Sequence, residues 1–454
     1  MVFSSLTFLL FFLPAVLAVY FAVPARFKNA VLFLFSLAFY AWGEPVYVCL
    51  MLFSTVLDYS CGRAVDAHRG TGKAKAALLV SVCVYCLMYA PQPMFNSISA
   101  EFGTDKSQTA MTVGVFMLCL AVAPLFAGML LSRIGQRAML LGACGALALS
   151  SAALWFVPGF AELMALRSLQ AVFVPFALTA VMSSIAQLFR HLSLGRALAG
   201  YVTSNLVGSM LGRLGGGWCA ELFGWRPTLA GIGILFAVAV LMLLDAPKSS
   251  QGSHAHRMPS FRDAAAIFRT PCVPSLVLVE GCGFFVFAAV GSLIPFRMLE
   301  LGQGDSESLI GLMYLGYMVG FFASSCLGVL RRLFGTTTRL ILAGSLLYML
   351  SAASMAAPNL WVLFYGIFFM TFGEFVVHVN IPGIVNRLTE RHDRGMVNGL
   401  FLSCYYFGGV LGTLVPSFAY TRFGWTAAYG TMQAMLCLAF LVLMSLRARL
   451  PETR

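Results

Sequence analysis

The sequence predicts an all-α polytopic membrane protein in which two parallel repeats of six transmembrane helices follow about three additional N-terminal membrane helices. Three observations support this prediction: a composition poor in charged residues, long apolar segments along the whole chain, and an internal repeat at a constant offset. Together they indicate a chain that crosses a bilayer many times.

The composition excludes an ordinary soluble protein. Of the 454 residues, 60% are hydrophobic and only 10% are charged, whereas about 25% of residues are charged in a typical soluble domain. Apolar stretches of about 20 residues, which is the length that spans a bilayer as a helix, recur throughout the chain. These stretches do not alternate apolar and polar residues, which argues against a transmembrane barrel.

Several sequence features of the two halves coincide without gaps after a shift of 200 positions. The triplet Phe-Gly-Trp at 223–225 recurs at 423–425, and Ser-Ala-Ala at 151–153 recurs at 351–353. An even number of crossings in each half gives both halves the same orientation, as in parallel-repeat transporters. The same offset relates five pairs of glycines: Gly128 and Gly328, Gly135 and Gly335, Gly195 and Gly395, Gly208 and Gly408, and Gly212 and Gly412.

Six apolar segments are predicted in each half. In the first half they cover roughly 74–98, 108–131, 138–157, 161–187, 197–219 and 227–245, and in the second roughly 273–296, 308–330, 339–357, 360–386, 396–418 and 426–446. The predicted domains are an extra N-terminal membrane segment (1–72), the first half (73–245), a cytoplasmic linker (246–272), the second half (273–446) and a cytoplasmic tail (447–454). The extra segment has apolar stretches near 3–24, 29–43 and 45–62.

The net charge of +12 reflects membrane topology and predicts no binding of nucleic acid. Most lysines and arginines occupy alternate loops, which the positive-inside rule places in the cytoplasm together with the C-terminus. Opposite loops contain most of the loop acids. Their few basic residues are Lys106, Arg226, Arg297 and Arg422.

The sequence predicts no cofactor, no metal and no catalytic residue. Cys83 and Cys86 have the CxxC spacing, but they lie inside a membrane segment without a second pair, which favours small buried side chains over metal or redox chemistry. A P-loop of the form GxxxxGK[ST] is absent from the sequence, which argues against ATP as the energy source.

Three motifs resemble the major facilitator superfamily from about residue 84 to the end. The loop GMLLSRIGQR at 128–137 is similar to the family's GxLxDRxGRR motif, although serine replaces the usual aspartate. LMALRSLQ at 163–170 is similar to its RxxQG pattern, and the glycine-rich segment at 208–217 resembles its exporters. More narrowly, the segment at 208–213, together with YAPQP at 89–93 and TFGEFVVHVN at 371–380, resembles a bacterial inner-membrane efflux subgroup. The resemblance assigns a conformational latch to Gly128, Ser132, Arg133, Gly135 and Arg137, and an interface helix to Gly208, Gly212 and Arg213.

Residues 1–84 resemble a different family, the membrane-bound O-acyltransferases that acetylate exported polysaccharides. The similarity includes the segment Tyr-Ala-Trp-Gly-Glu-Pro at 40–45 and ends before any region that could carry that family's catalytic histidine. The first helix of the repeat is therefore composite. A gene fusion, a recombination and a sequence-assembly product all remain open as origins.

Ionisable side chains inside the membrane are the first candidates for transport, because they are costly there without a role. Glu374 lies near the middle of the tenth repeat helix, and His378 is one turn away on the same face. A carboxyl group beside a histidine in low-dielectric surroundings is suited to take up and release a proton. The alternative is a carboxylate satisfied by structural hydrogen bonds.

Four further residues are candidates with competing structural roles. The functional role for Arg167 is to attract an anionic substrate or to tune a carboxylate, and the structural one is to extend its charge towards the membrane surface. Arg213 either serves transport or pairs across the interface between the halves. Glu280 either contacts substrate or pairs with the cytoplasmic rim. Gln92 is predicted to line the substrate cavity together with Asn380, beside a proline-kinked helix.

These features predict a monomeric secondary transporter in the inner membrane, which exports a small organic molecule in exchange for protons. Two alternatives remain: an O-acyltransferase fragment fused to a transporter, and a fusion product that does not transport.

Overall fold

The computed structural model describes residues 12–24, 72–188, 194–244, 261–390 and 394–450, together with the single residues 28, 31, 32 and 35. The chain divides into two compact units, Met1–Ala67 and His68–Arg454. In the first unit, helix α1 covers Leu13–Ala22. The other predicted N-terminal crossings and most of the predicted linker lie outside the described residues.

The described part of the second unit consists of helices joined by short turns. The first half contains α2 (Gly72–Tyr89), α3 (Phe95–Phe102), α4 (Lys106–Val122), α5 (Pro124–Ile134), α6 (Gln136–Ala153), α7 (Phe160–Leu188), α8 (Leu194–Met210), α9 (Gly216–Phe223) and α10 (Trp225–Leu243). Helix α11 (Phe261–Phe268) precedes the second half, which contains α12 (Val273–Glu300), α13 (Glu307–Met313), α14 (Val319–Phe334), α15 (Thr337–Ala352), α16 (Leu360–Leu388), α17 (Arg394–Phe423) and α18 (Trp425–Leu446).

Nine of the described helices are long and apolar enough to cross a membrane, judged by length and composition alone. The other three of the twelve crossings predicted for the two halves are interrupted. The second crossing breaks where α4 meets Pro124, because proline has no N–H to donate to the preceding turn. A π-helical segment, Leu211–Gly215, separates α8 from α9, and a 3₁₀ segment, Tyr314–Met318, separates α13 from α14.

The repeat in the sequence is visible in the packing of corresponding helices. In the first half, Gly208 and Gly212 of the fifth crossing face the backbone of α2. In the second half, Gly408 and Gly412 of α17 face the backbone of α12 in the same way. Small residues allow this close approach of membrane helices. The predicted interface glycines thus join helices of one half to each other.

Alanine at Gly412 is expected to destabilise the second half. Its Cβ would lie 2.0 Å from the carbonyl oxygen of Phe285, which is backbone and cannot rotate away. Overpacking of this kind costs about 3 kcal/mol or more when two helices must separate. The measurement is the temperature at which protein purified in detergent loses its monodisperse peak in size-exclusion chromatography. Gly430→Ala is the control because nothing lies within 4 Å of its Cβ. Equal stability of the two variants would contradict the close approach of α17 to α12.

Candidate functional site

Helices α12 and α16 bring three ionisable side chains together inside the second half. Glu280 is on α12, whereas Glu374 and His378 are on α16, and one potential ligand atom from each lies within 4.8 Å of the other two. Nδ1 of His378 forms a hydrogen bond with Oε1 of Glu280. The sequence predicts Glu374 and His378 on the same face of one helix, and Glu280 either in contact with substrate or paired with the cytoplasmic rim. In the structure all three groups lie together, and the hydrogen-bond partner of His378 is Glu280 on the facing helix.

The cluster is enclosed, with one member partly accessible. The exposed fractions are 1% for Glu280 and 3% for Glu374, whereas the side chain of His378 is 30% exposed. The second oxygen of Glu280 is buried without a hydrogen-bond partner. Two ionised carboxylates this close in low-dielectric surroundings repel each other, and a proton or a cationic group between them reduces that repulsion. The arrangement is therefore suited to bind and release positive charge.

Aromatic rings and a glycine fix the position of this cluster. The ring of Tyr405 on α17 lies 4.9 Å from that of His378 and stacks on Phe284 at 3.9 Å, measured between centroids. A Cβ on Gly283 would lie 2.6 Å from Oε2 of Glu374. Glycine at this point of α12 therefore leaves the space that the carboxyl group of Glu374 occupies.

Asn380 has partners of its own on the same helix and the neighbouring one. Its Oδ1 accepts a hydrogen bond of 2.7 Å from Nη2 of Arg331 on α14, and its Nδ2 donates to the carbonyl of Val376. Asn380 is buried. These contacts tie α14 to α16, so the predicted cavity residue has a structural partner in this conformation.

Arg167 is fully buried and binds groups of its own half. Its Nη1 donates to the carbonyl of Leu87 at 3.0 Å, and its Nε donates to that of Thr112 at 3.0 Å. The carbonyl of Leu87 has no helical partner because the residue four positions later is Pro91, which lacks an N–H. Arg167 also bonds Oε1 of Gln170 and lies over the Phe116 ring. The contacts of Arg167 in this conformation are thus with the first half, and they favour the structural alternative over the predicted transport role.

Arg213 and Gln92 meet at the interface between the halves. The Nε of Arg213 donates to Oε1 of Gln92 at 2.7 Å, and both side chains are buried. The guanidinium carbon lies 4.0 Å from the ring centre of Tyr89, and it lies farther from two rings of the other half, those of Tyr314 (5.2 Å) and Tyr317 (5.1 Å). This aromatic enclosure is not visible in the sequence, because Tyr89 is far along the chain from Tyr314 and Tyr317. Arg213 lies in the π-helical segment, a geometry frequent at functional sites.

The predicted latch loop makes a contact within the first half. Gly135 has a φ of +80°, which allows the turn between α5 and α6, and Arg137 donates to the carbonyl of Leu244 beyond α10. Arg133 is exposed. Gly128 and Ser132 lie within α5, and their surroundings are outside the described residues. The latch loop therefore reaches α10 of its own half in this conformation.

One set of contacts between the halves lies at an end of the bundle, here called the closed end, where α3 meets α4 and α12 meets α13. There, Nδ2 of Asn96 donates to the carbonyls of Pro295 at 3.0 Å and Gly304 at 3.1 Å. Phe95 stacks on Phe296 with centroids 5.9 Å apart. These contacts are not predicted from the sequence, because the partner residues are about 200 positions apart in the chain.

Two parallel helical repeats with ionisable groups buried between their helices define a polytopic membrane transporter. The chain belongs to the Major Facilitator Superfamily, whose model matches residues 77–347 and 276–454. This confirms the family predicted from the sequence, and the protein is a transporter and not an enzyme.

Known relatives agree with this assignment. The multi-drug resistance efflux pump PmrA of Streptococcus pneumoniae is 26% identical over 326 residues, which cover 70% of this chain and 80% of the pump. The fold is that of an inward-facing crystal structure of a bacterial homologue of the human lysosomal transporter Spinster, with a TM-score of 0.67 and 17% identity. That similarity covers 82% of this chain and 96% of the homologue.

The second resemblance predicted from the sequence has a shorter counterpart. The probable alginate O-acetylase AlgI of Azotobacter vinelandii is 42% identical over 67 residues, which cover 15% of this chain and 13% of AlgI. So short a match supports a composite chain and carries no activity with it.

Proposed function

We propose that this protein is a proton-coupled exporter of a small organic molecule that works by alternating access. The observation that carries the proposal is the buried cluster of Glu280, Glu374 and His378. Export is favoured by the similarity to PmrA, a multi-drug resistance efflux pump. Small organic molecules are the substrate class that such a pump handles.

The cluster supports proton exchange for an electrostatic reason. Its three groups can hold one more positive charge at little cost and lose it when substrate or a conformational change alters their separation. Glu280 and Glu374 are on different helices, so relative movement of α12 and α16 changes the distance between the two carboxyl groups. The exposed edge of His378 gives the proton a route to the cluster.

The orientation of the cycle follows from the loop charges. If the arginine-rich loops are cytoplasmic, as the positive-inside rule predicts, the C-terminus is cytoplasmic and the closed end faces outward. The described conformation is then closed to the outside. We propose the bacterial inner membrane as the location and the monomer as the working unit.

The test measures proton movement in inside-out vesicles that contain the full-length protein and a pH-sensitive dye. A panel of cationic drugs, sugars and amino acids is added to the wild type and to Glu374→Gln. We expect substrate-dependent proton release from the wild-type vesicles and its loss in the variant, because glutamine cannot exchange a proton. The measured quantity is the initial rate of fluorescence change.

Glu101→Gln is the control, because Glu101 is a carboxyl group outside the cluster whose partners, Trp225 and Arg226, both belong to the first half. Its vesicles should retain substrate-dependent proton release. Release that persists in Glu374→Gln would refute a coupling role for Glu374. Transport of labelled substrate without any proton movement would refute proton coupling and leave a uniporter.

A further inference from the structure

The closed end contains an acidic contact between halves that the transport site does not use. Oε2 of Glu221, at the end of α9 in the first half, accepts hydrogen bonds from two groups of the second half. The donors are the backbone N–H of Ser308 at 2.9 Å and the hydroxyl of Ser306 at 2.8 Å. A carboxylate that accepts two such bonds is a stronger partner than a neutral group.

Neighbouring contacts continue this connection into the bundle. The hydroxyl of Ser97 on α3 donates to Oε1 of Glu307, the first residue of α13. Gly217 on α9 faces the backbone carbonyl of Glu307, and Gly311 on α13 faces that of Arg213. Helices α9 and α13 thus touch through backbone, and Glu221 lies at the outer limit of this contact.

We propose that Glu221 is a positioning residue for alternating access, and that its hydrogen bonds to Ser306 and Ser308 hold the closed end shut. The partners of Glu221 belong to the other half, so separation of the halves at this end must break both bonds. When the closed end opens, Glu221 exchanges these partners for water. The contact therefore stabilises the closed conformation and not the fold of either half.

The electrostatic state of Glu221 is consistent with this role. The hydrogen bonds from Ser308 and Ser306 hold the pKa of Glu221 below its usual range, so the side chain is ionised and accepts both bonds at neutral pH. Burial raises the pKa of nearby Glu307, and the hydroxyl of Ser97 acts against that rise.

A second carboxylate at the same end provides a matched control. Oε2 of Glu101 accepts a hydrogen bond of 2.6 Å from Nε1 of Trp225, and Oε1 pairs with Arg226. All three residues belong to the first half. Loss of Glu101 removes a carboxylate with two partners from the closed end without breaking a contact between halves.

The experiment measures the distance between the halves at the closed end by pulsed electron spin resonance. Spin labels are attached to ketone-bearing amino acids at the exposed positions Glu162 and Gln303, which leaves the native cysteines in place. In Glu221→Ala, the ratio of long to short distances should rise about five-fold, as expected for loss of a partly exposed hydrogen-bonded charge. In Glu101→Ala, the distribution should match the wild type.

A second variant distinguishes the contact from a general loss of structure. Ser308→Pro removes the backbone N–H that Glu221 binds, at a position in the first helical turn where proline is tolerated. It should open the closed end less than Glu221→Ala does, because the hydroxyl of Ser306 still donates to Glu221, and the double variant should open it no further than Glu221→Ala alone. A wild-type distribution in Glu221→Ala, or equal opening in Glu101→Ala, would overturn the proposal. The measurement needs neither substrate nor protons, so its outcome is separate from that of the proposed function.

Discussion

Replacement of Arg167 by methionine is expected to lower the free energy of unfolding by about 3 kcal/mol, because it leaves buried carbonyl groups without a donor where no water replaces it. The carbonyl of Leu87 depends most on Arg167, since Pro91 cannot supply the helical hydrogen bond. Those of Met88 and Thr112 also lose a donor. Methionine preserves much of the length and apolar volume of the side chain, so the loss reports mainly on hydrogen bonding.

The measurement is the loss of the monodisperse size-exclusion peak after the protein is heated in detergent. Arg422→Met is the control, because Arg422 is exposed and its nearest described partner is the ring of Phe418, 5.9 Å away. Its stability should stay within about 0.5 kcal/mol of the wild type. If Arg167→Met were as stable as Arg422→Met and yet inactive, the transport role suggested by the sequence would replace the structural role.

The sequence predicted the helical repeat because its signals are local and recur. Glycine at 224 and 424 shows this, since each has a positive φ at the turn between two helices, 86° and 80°, where other residues are strained. Apolar segments of membrane length are equally local. Family membership followed from short motifs, which the match to the family model confirms.

The candidate site was predicted only in part, because its geometry depends on contacts between distant helices. Spacing of four residues suggested a pair between Glu374 and His378, yet the partner of His378 is Glu280, 98 residues earlier in the chain. Similarly, nothing near Arg167 in the sequence reveals the carbonyl of Leu87, 80 residues away. Pro91 was the available signal, because it removes a hydrogen-bond donor from its own helix, but Arg167, which supplies the missing donor, lies on a different helix.

The contacts at the closed end were also not predicted from the sequence. The sequence indicates that most loop acids lie on the side poor in basic residues, but it does not identify the partners of Glu221 and Glu307. Their contacts join residues 85 to 210 positions apart, and each depends on how the halves meet in one conformation. In the proposed cycle these contacts change, so a single local pattern cannot encode them.

Alanine at Gly283 is expected to reduce proton-coupled transport at least about ten-fold while leaving the protein folded, since small displacements of a reacting group have large effects on rate. The added Cβ would lie 2.6 Å and 2.9 Å from the two carboxyl oxygens of Glu374. The carboxyl group must move away from its position beside Glu280 and His378. The change therefore displaces the acid without removing its charge.

Gly281→Ala, two residues earlier on α12, is the matched control for this displacement. Its Cβ would meet only the carbonyl oxygen of Cys404 at 3.7 Å, an ordinary contact, and its helix should gain up to about 1 kcal/mol from the loss of glycine. Both variants are compared in the vesicle assay and by thermal stability. Loss of transport in Gly283→Ala alone, at matched stability, would show that the position of the Glu374 carboxyl group and not only its presence sets coupling. Equal transport by both variants would mean that Glu374 does not need the position seen here, and the coupling group would then have to be sought at Glu280 and His378, whose mutual hydrogen bond the alanine leaves untouched.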